Sequence, residues 1–100
     1  MFTVVNRWRV DDAMDTEFCR AWHARTEKIR ALRGSYGSRL HREPEGVYCG
    51  IALWPSREAW SATEPPLPED EHDAAVFSAA VVEWLPTLTM DLVDDLWSLP

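Results

Sequence analysis

The side chain in this sequence that is best suited to take part in chemistry is the amide of Asn6. It stands in the segment Phe2–Val10, whose alternation puts Val4, Asn6 and Trp8 on one apolar face. An unpaired polar group in such surroundings costs roughly 1–3 kcal/mol, so the amide must find a hydrogen-bond partner. That partner is either a neighbouring backbone group or an anionic oxygen of a bound molecule, which the amide NH2 would stabilise.

The chain contains six tryptophans in 100 residues, which is many for a protein of this length. Each large ring with its single polar N–H packs in a core, against another subunit or along a cavity wall. A single tryptophan is more often a core residue, but six together favour a hydrophobic slot that accepts a flat ring. The residues predicted to bind substrate in this slot are Trp8, Trp22, Tyr48 and Trp60.

Three histidines are present, and two of them are candidates for a general base near neutral pH. His23 follows Trp22 in a helical stretch and is predicted to be catalytic together with Asn6. His41 falls in a predicted strand and is the alternative. Histidines in such positions are more often surface or structural residues, so that reading stays open for both.

No motif for metal or nucleotide chemistry occurs in the sequence. The two cysteines, Cys19 and Cys49, lack metal-binding spacing and are expected to be free thiols. Glycine-rich dinucleotide and phosphate loops, G-x-S-x-G and H-E-x-x-H are absent. The acidic run at 69–73 lacks the spacing of a calcium loop and is typical of a solvated helix start. We therefore expect no metal site.

The acidic balance of the chain argues against several classes of partner. A net charge of -7 and a pI near 4.8 disfavour binding to nucleic acid or to an anionic membrane. Nine of the ten basic residues lie in 1–42, so this part is expected to face the acidic remainder in the fold or in a dimer, with a charged-ligand site as the alternative. The sequence shows no signal region and no apolar run of about 20 residues, which predicts a cytoplasmic protein.

The side chains described above are predicted to lie on four strands and three helices. The first strand spans Phe2–Val10, and a long amphipathic helix follows it and ends at Gly34. Two strands at 36–42 and 47–54 are joined by a tight turn at 43–46. The remaining elements are a short helix at 56–63, a proline-rich loop at 64–71, a helix with the buried stripe Ala74, Phe77, Val81 and Trp84 that ends at Pro86, and a strand at 87–97.

This order of elements is the ferredoxin-like β-α-β-β-α-β plan of the α+β class, in one domain that spans 1–100. Both faces of the strand Val47–Trp54 are largely apolar, so a layer must cover each face of the sheet. We expect helices on one face and a second copy of the chain on the other, in a homodimer packed sheet against sheet.

Three motifs extend this interpretation to a family. They are Val5-Asn6-Arg7-Trp8 in the first strand, the helix end Arg33-Gly34, and Leu53-Trp54-Pro55-Ser56-Arg57-Glu58-Ala59-Trp60 at a strand-to-helix junction. In these motifs the chain resembles the antibiotic-biosynthesis monooxygenase-like domains of the dimeric α/β-barrel superfamily, which are related to haem-degrading monooxygenases. The resemblance covers nearly the whole chain and implies a dimeric α/β barrel.

The resemblance also implies an activity. Cofactor-independent members oxidise aromatic or quinol-type substrates. The haem-degrading members have an asparagine at the position of Asn6, so the resemblance implies that Asn6 is the polar anchor of the site. One alternative is a non-catalytic dimer that binds a small ligand or serves as a scaffold. Another is haem degradation, which uses a tryptophan on the helix after the third strand and a histidine as iron ligand. Trp60 lies about one turn early for that role, and His72 stands among acidic residues. The sequence therefore favours a site without a cofactor.

Overall fold

One antiparallel sheet organises the residues that the computed structural model describes, which are 1–64, 66–68 and 70–100. Five strands build it: β1 Phe2–Val10, β2 Gly37–Glu43, β3 Val47–Trp54, β4 Val81–Trp84 and β5 Leu88–Asp91. The α-helices of these described residues are α1 Asp15–Arg33, α2 Arg57–Ser61 and α3 Glu71–Ala80. Single 3-10 turns lie at Asp12–Met14 and Pro44–Gly46.

The central strand of the sheet is β1, which every other strand except β2 contacts. The strand order is β2-β3-β1-β4, and β5 continues along the same edge of β1 as β4. β1 and β3 pair in one unbroken register, in which Asn6 lies opposite Gly50. This topology confirms the predicted α+β ferredoxin-like fold, and the sheet of a single chain does not close into a barrel.

Local sequence signals account for the ends of the helices. Gly34 ends α1 in the left-handed conformation with φ of 75°, which costs glycine little. The hydroxyl of Ser56 accepts a hydrogen bond from the Ala59 N–H and caps α2. The carboxylate of Asp70 caps α3 by accepting from the His72 and Asp73 N–H groups. These residues thus determine where α1 ends and where α2 and α3 begin.

The prediction for the last third of the chain was wrong in two places. The third helix ends at Ala80, and Val81 and Trp84 belong to β4 rather than to its buried stripe. β-Branched and aromatic residues in this segment pair with the free edge of β1, where Trp84 lies opposite Trp8. The last strand spans only Leu88–Asp91, because β1 begins at Phe2 and offers no partner to the tail after Leu92.

Two groups of buried side chains join the helices to one face of the sheet. The first packs α1 and α3 onto one end of β1, where Phe18 and Phe77 contact Trp8 at ring-centroid distances of 5.6 Å. The second lies at the other end of β1 and contains Phe2, Val4 and Trp54. Asn6 stands between the two groups on this helix-bearing face.

The opposite face of the sheet carries none of the described helices, and we call it the open face. It presents Val5, Ile51 and Leu53 beside Leu88 and Met90 of β5. The residues after β5 extend over this side of the molecule far enough for the Arg39 guanidinium on β2 to lie 5.2 Å from the Trp97 ring. Leu88 and Met90 are 54% and 42% exposed, so the open face keeps an apolar surface in the single chain.

Candidate active site

A cavity of about 230 Å³ lies between the helix-bearing face of the sheet and the helices α1 and α2. We call it the aromatic cavity. Asn6 lies in its wall between rings contributed by both clusters of buried residues. The described residues that line the cavity are Val4, Asn6, Trp8, Trp22, Arg25, Thr26, Ile29, Ser35, Ser38, Gly50, Ala52, Trp54, Trp60, Phe77 and Trp84.

The structure places the amide of Asn6 in the middle of this wall. Its Oδ1 accepts a hydrogen bond from Oγ1 of Thr87, at a distance of 2.9 Å. The sequence left open whether a backbone group or a ligand satisfies this amide, and the partner in the structure is a side chain. No described residue accepts a hydrogen bond from the Nδ2 group, so both of its N–H donors stay available in the cavity wall.

Gly50 gives the cavity its shape, because it lies opposite Asn6 and leaves room for two indole rings. A Cβ atom at this position would lie 3.1 Å from Cη2 of Trp8 and 3.3 Å from Nε1 of Trp22. Real Cβ atoms rarely approach neighbours so closely, so a larger residue would push the rings apart. The two indole rings therefore approach each other above Gly50, which has no side chain.

Trp8 and Trp60 are held in the wall by different means. Trp8 is 5% exposed and packs against Phe18 and Phe77, and its buried Nε1 has no hydrogen-bond acceptor among the described residues. Trp60 stands on α2, and its ring lies 5.6 Å from the ring of Phe2. The first ring is thus fixed by the core, whereas the second depends on a helix of five residues.

Two of the predicted site residues lie outside the aromatic cavity. His23 lies on α1, where its side chain is 70% exposed and its Nε2 lies 2.9 Å from a carboxylate oxygen of Glu27. Tyr48 is buried, and burial is the main cause that raises the pKa of its hydroxyl. That hydroxyl donates to Oδ2 of Asp15 at 3.3 Å. His23 and Tyr48 line a separate open cleft with Arg20 and other residues.

Polar residues that the sequence reasoning missed also line the aromatic cavity. Ser35 and Ser38 donate hydrogen bonds to the carbonyl groups of Leu53 and Ile51, so their hydroxyl protons are used within the sheet. Arg25 lines both this cavity and a neighbouring one of about 370 Å³. Arg25 follows Phe18 and Trp22 at helical spacing, which was a signal for a residue on the cavity side of α1, whereas nothing in the sequence indicates the contacts of the two serines.

Haem does not fit the residues of the aromatic cavity. The described lining residues include no histidine, cysteine or methionine that could bind iron. His72 lies exposed in the first turn of α3, beside the capping carboxylate of Asp70. Elsewhere in the described chain, no group of three or more histidine, cysteine, aspartate or glutamate residues is placed to hold a metal ion. The described helices are also too short or too polar to cross a membrane.

The sequence of the chain matches a known family. The family model for antibiotic biosynthesis monooxygenases matches residues 1–64, and the chain belongs to this family. This assignment confirms the resemblance drawn from the motifs around Asn6 and Trp54. A search of curated proteins finds no match.

Solved structures share the fold over nearly the full length. SnoaB, a cofactor-independent oxygenase from Streptomyces nogalater, is 21% identical with a TM-score of 0.75, and the match covers 95% of each chain. A putative antibiotic biosynthesis monooxygenase from Caulobacter crescentus is 22% identical with a TM-score of 0.75 and covers 93% of this chain and 90% of its own. Rv0793 from Mycobacterium tuberculosis is 13% identical with a TM-score of 0.70 and covers 96% and 98%.

Proposed function

We propose that the protein is a cofactor-independent monooxygenase that oxidises a small aromatic substrate of the quinol type. The observation that carries this proposal is one amide with free N–H donors in a cavity walled by tryptophans. Family membership and the similarity to SnoaB, itself described as cofactor-independent, support it. Ligand pockets commonly enclose about 300–1,000 Å³, so a cavity of about 230 Å³ favours a compact substrate of one or two rings.

The reaction needs no external reductant, because a quinol carries all the electrons. One O2 takes four electrons from the substrate. Two come from the oxidation of quinol to quinone and two from the conversion of one ring C–H to C–OH. One oxygen atom stays on the ring, and the other leaves as water together with two protons from the substrate. The products are a hydroxyquinone and one water.

The cavity supplies stabilisation of charge rather than a base. No carboxylate or imidazole is among its described lining residues, so the quinol ionises in solution or at the cavity mouth. The N–H groups of Asn6 stabilise the phenolate, which is the form that reduces O2. Arg25 adds a positive charge at the boundary with the neighbouring cavity. The tryptophan rings exclude water from the reacting ring.

Oxygen uptake by the Asn6→Ala variant tests this function. With 1,4-naphthohydroquinone as substrate and the protein-free rate subtracted, kcat is expected to fall by about 10²–10³, as for other lost oxyanion donors. The matched control is Thr3→Ala, which lies on the open face of β1 and is expected to retain wild-type turnover. An Asn6→Ala protein that turns over normally would exclude the proposed role.

The second candidate is a binding module without turnover, and the missing base in the cavity favours it. Binding of 1,4-naphthoquinone, followed by quenching of tryptophan fluorescence, separates the two candidates. Saturable binding without enzyme-dependent oxygen uptake by any quinol would establish the binding module and reject the oxygenase.

We also propose that two copies of the chain associate through their open faces. Val5, Ile51, Leu88 and Met90 form an apolar surface there that no described helix covers. Packing of two such faces would remove this surface from water and enclose the sheets between the two layers of helices.

A further inference from the structure

The hydrogen bond between Asn6 and Thr87 joins two parts of the chain that are far apart in sequence. We propose that Thr87 is a positioning residue, which fixes the plane of the Asn6 amide so that its NH2 group is presented to the substrate oxygen. This inference rests on the function proposed above. It adds a residue that does not line the aromatic cavity and touches the reacting atoms only through Asn6.

An irregularity in the sheet brings Thr87 to this place. Trp84 pairs with Trp8 and Leu88 pairs with Val5, so residues 85–87 stand opposite the two residues 6 and 7. The segment 85–87 therefore has one residue more than the segment of β1 opposite it. Such an insertion is a β-bulge, which bends the strand and changes the direction of its side chains. Pro86 has no N–H to donate to a regular ladder, which favours the interruption at this point.

The bulge also changes which face of the sheet the strand presents. Trp84 lies on the helix-bearing face with Trp8, whereas Leu88 lies on the open face with Val5. Within the bulge, Oγ1 of Thr87 reaches Oδ1 of Asn6 at 2.9 Å. A regular strand would keep one alternation from β4 to β5, and Leu88 would then fall on the same face as Trp84.

The bond has a direct effect on what Asn6 offers to a ligand. An amide presents an acceptor oxygen at one end and two N–H donors at the other. Because Thr87 donates to Oδ1, the acceptor end is occupied and the donor end remains for the cavity. An amide turned by half a rotation would point its carbonyl oxygen at the phenolate and repel it. The Thr87 hydroxyl and a bound anion therefore favour the same orientation of the amide.

The two residues come from different regions of the chain. Asn6 lies within residues 1–64, which match the family model, and Thr87 lies beyond them. The family region thus supplies the amide, and the segment after it supplies the group that orients the amide.

Titration of a bound chromogenic phenol tests this inference in the full-length protein. The probe is 4-nitrocatechol, whose phenolate absorbs visible light and reports its own ionisation in the cavity. Wild-type protein is expected to lower the pKa of the bound probe below that of the free probe, and Asn6→Ala to abolish this effect. Thr87→Val is expected to raise the pKa of the bound probe by about 1 relative to wild type. This is the size of one hydrogen bond to a charged group, here the bond from the Asn6 NH2 to the phenolate, which the amide makes less well when Thr87 no longer orients it.

Two further variants make the measurement specific. Thr87→Ser keeps the hydroxyl and is expected to restore the wild-type pKa of the bound probe. Thr89→Val makes the same chemical change two residues along, in β5 opposite Val4, and is expected to leave the pKa of the probe unchanged. Unchanged thermal midpoints for all variants would show that the sheet is intact.

The outcomes separate failure of this inference from failure of the proposed function. If Asn6→Ala raises the pKa of the probe and Thr87→Val does not, Thr87 has no positioning role while the proposed function stands. Equal shifts in Thr87→Val and Thr89→Val would also overturn that role, because they would reflect a general change in the strand. If wild-type protein leaves the pKa of the probe at its free value, both proposals fail.

Discussion

Gly50 and Asn6 face each other across β3 and β1, and together they define the base of the aromatic cavity. Glycine is required there for space rather than for backbone conformation, because a Cβ atom would lie 3.1 Å from the Trp8 ring. Trp8 is held between Phe18 and Phe77 and has little room to move away. A methyl group at this position therefore intrudes into the space between the indoles.

The Gly50→Ala substitution is expected to lower the free energy of unfolding by about 1–3 kcal/mol, the usual cost of overpacking. It is also expected to weaken binding of 4-nitrocatechol, because Trp22 must move to accept the methyl group. Urea denaturation and probe titration measure the two effects. Ile51→Val, on the adjacent open-face position, is the control and should bind the probe as wild type does.

The ion pair between Arg7 and Glu43 gives the protein a pH-dependent contribution to stability. Nε and Nη2 of Arg7 donate to the two carboxylate oxygens of Glu43 at 2.7 and 2.8 Å. These hydrogen bonds are the main cause that lowers the pKa of Glu43. Because the pKa is lower in the folded chain, the stabilisation is complete above the ordinary glutamate pKa of about 4.3 and disappears as the pH falls through the folded value.

The Glu43→Gln substitution is accordingly expected to lower the thermal midpoint at pH 7, and its difference from wild type should vanish at low pH. Differential scanning calorimetry between pH 7 and about pH 2, well below the ordinary glutamate pKa, follows this convergence. Glu45→Gln removes a carboxylate from the same turn and should show a smaller difference at pH 7. A Glu43→Gln difference that persists at low pH would mean that the carboxylate charge is not its cause.

At the scale of elements, the shortest of the described α-helices carries a wall of the cavity. α2 has five residues, too few to be stable by itself, and its first turn depends on the Ser56 cap at 3.1 Å from the Ala59 nitrogen. The cap therefore determines how firmly Trp60 is held against Phe2.

Removal of this cap in Ser56→Ala is expected to cost about 1 kcal/mol of stability. It should also weaken probe binding several-fold, because the helix that carries Trp60 frays. Ser61→Ala is the comparison, since the Ser61 hydroxyl donates only to the Glu58 carbonyl of the same helix. If the two variants lose affinity equally, the cap does not position Trp60.

Sequence patterns predicted the elements that form by local rules. The alternation of Phe2–Val10, the glycine stop at Gly34 and the junction at Trp54 to Ser56 led to the correct fold. They failed in the segment 81–84, because the spacing of Val81 and Trp84 suits a helix as well as a strand. Only the free edge of β1, which is a property of the assembled sheet, decides between the two.

The candidate site was predictable to the extent that residues share a face. Asn6 and Trp8 both reach the cavity because they lie two residues apart on one strand and therefore on the same face of the sheet. Tyr48 lies on the same face of the sheet but at the end where Phe18 covers it. Thr87 could not be found from the sequence, because a bulge determines its contact with Asn6.

At the scale of the whole molecule, the open face is the surface through which the proposed association of two copies would occur. Leu88 lies on it opposite Val5 and is 54% exposed in the single chain. A charge at this position would have to be buried between the two sheets of a dimer, which is strongly unfavourable.

Leu88→Asp is therefore expected to convert a dimer to a monomer, which analytical ultracentrifugation measures as a halved mass. Leu32→Asp places the same charge on an exposed position of α1 and should leave the mass unchanged. A wild-type protein that sediments as a monomer at all concentrations would rule out the proposed association.

The interrupted edge formed by β4 and β5 is also a poor template for a strand of another molecule. An exposed edge strand is a template on which a strand of another molecule can add, and proline and bulges are devices that prevent this. Here Pro86 and two changes of register break the edge into short pieces. Replacing the bulge with a regular strand would thus remove the contact between Thr87 and Asn6. It would also leave the sheet with a continuous edge to which a strand of another molecule could add.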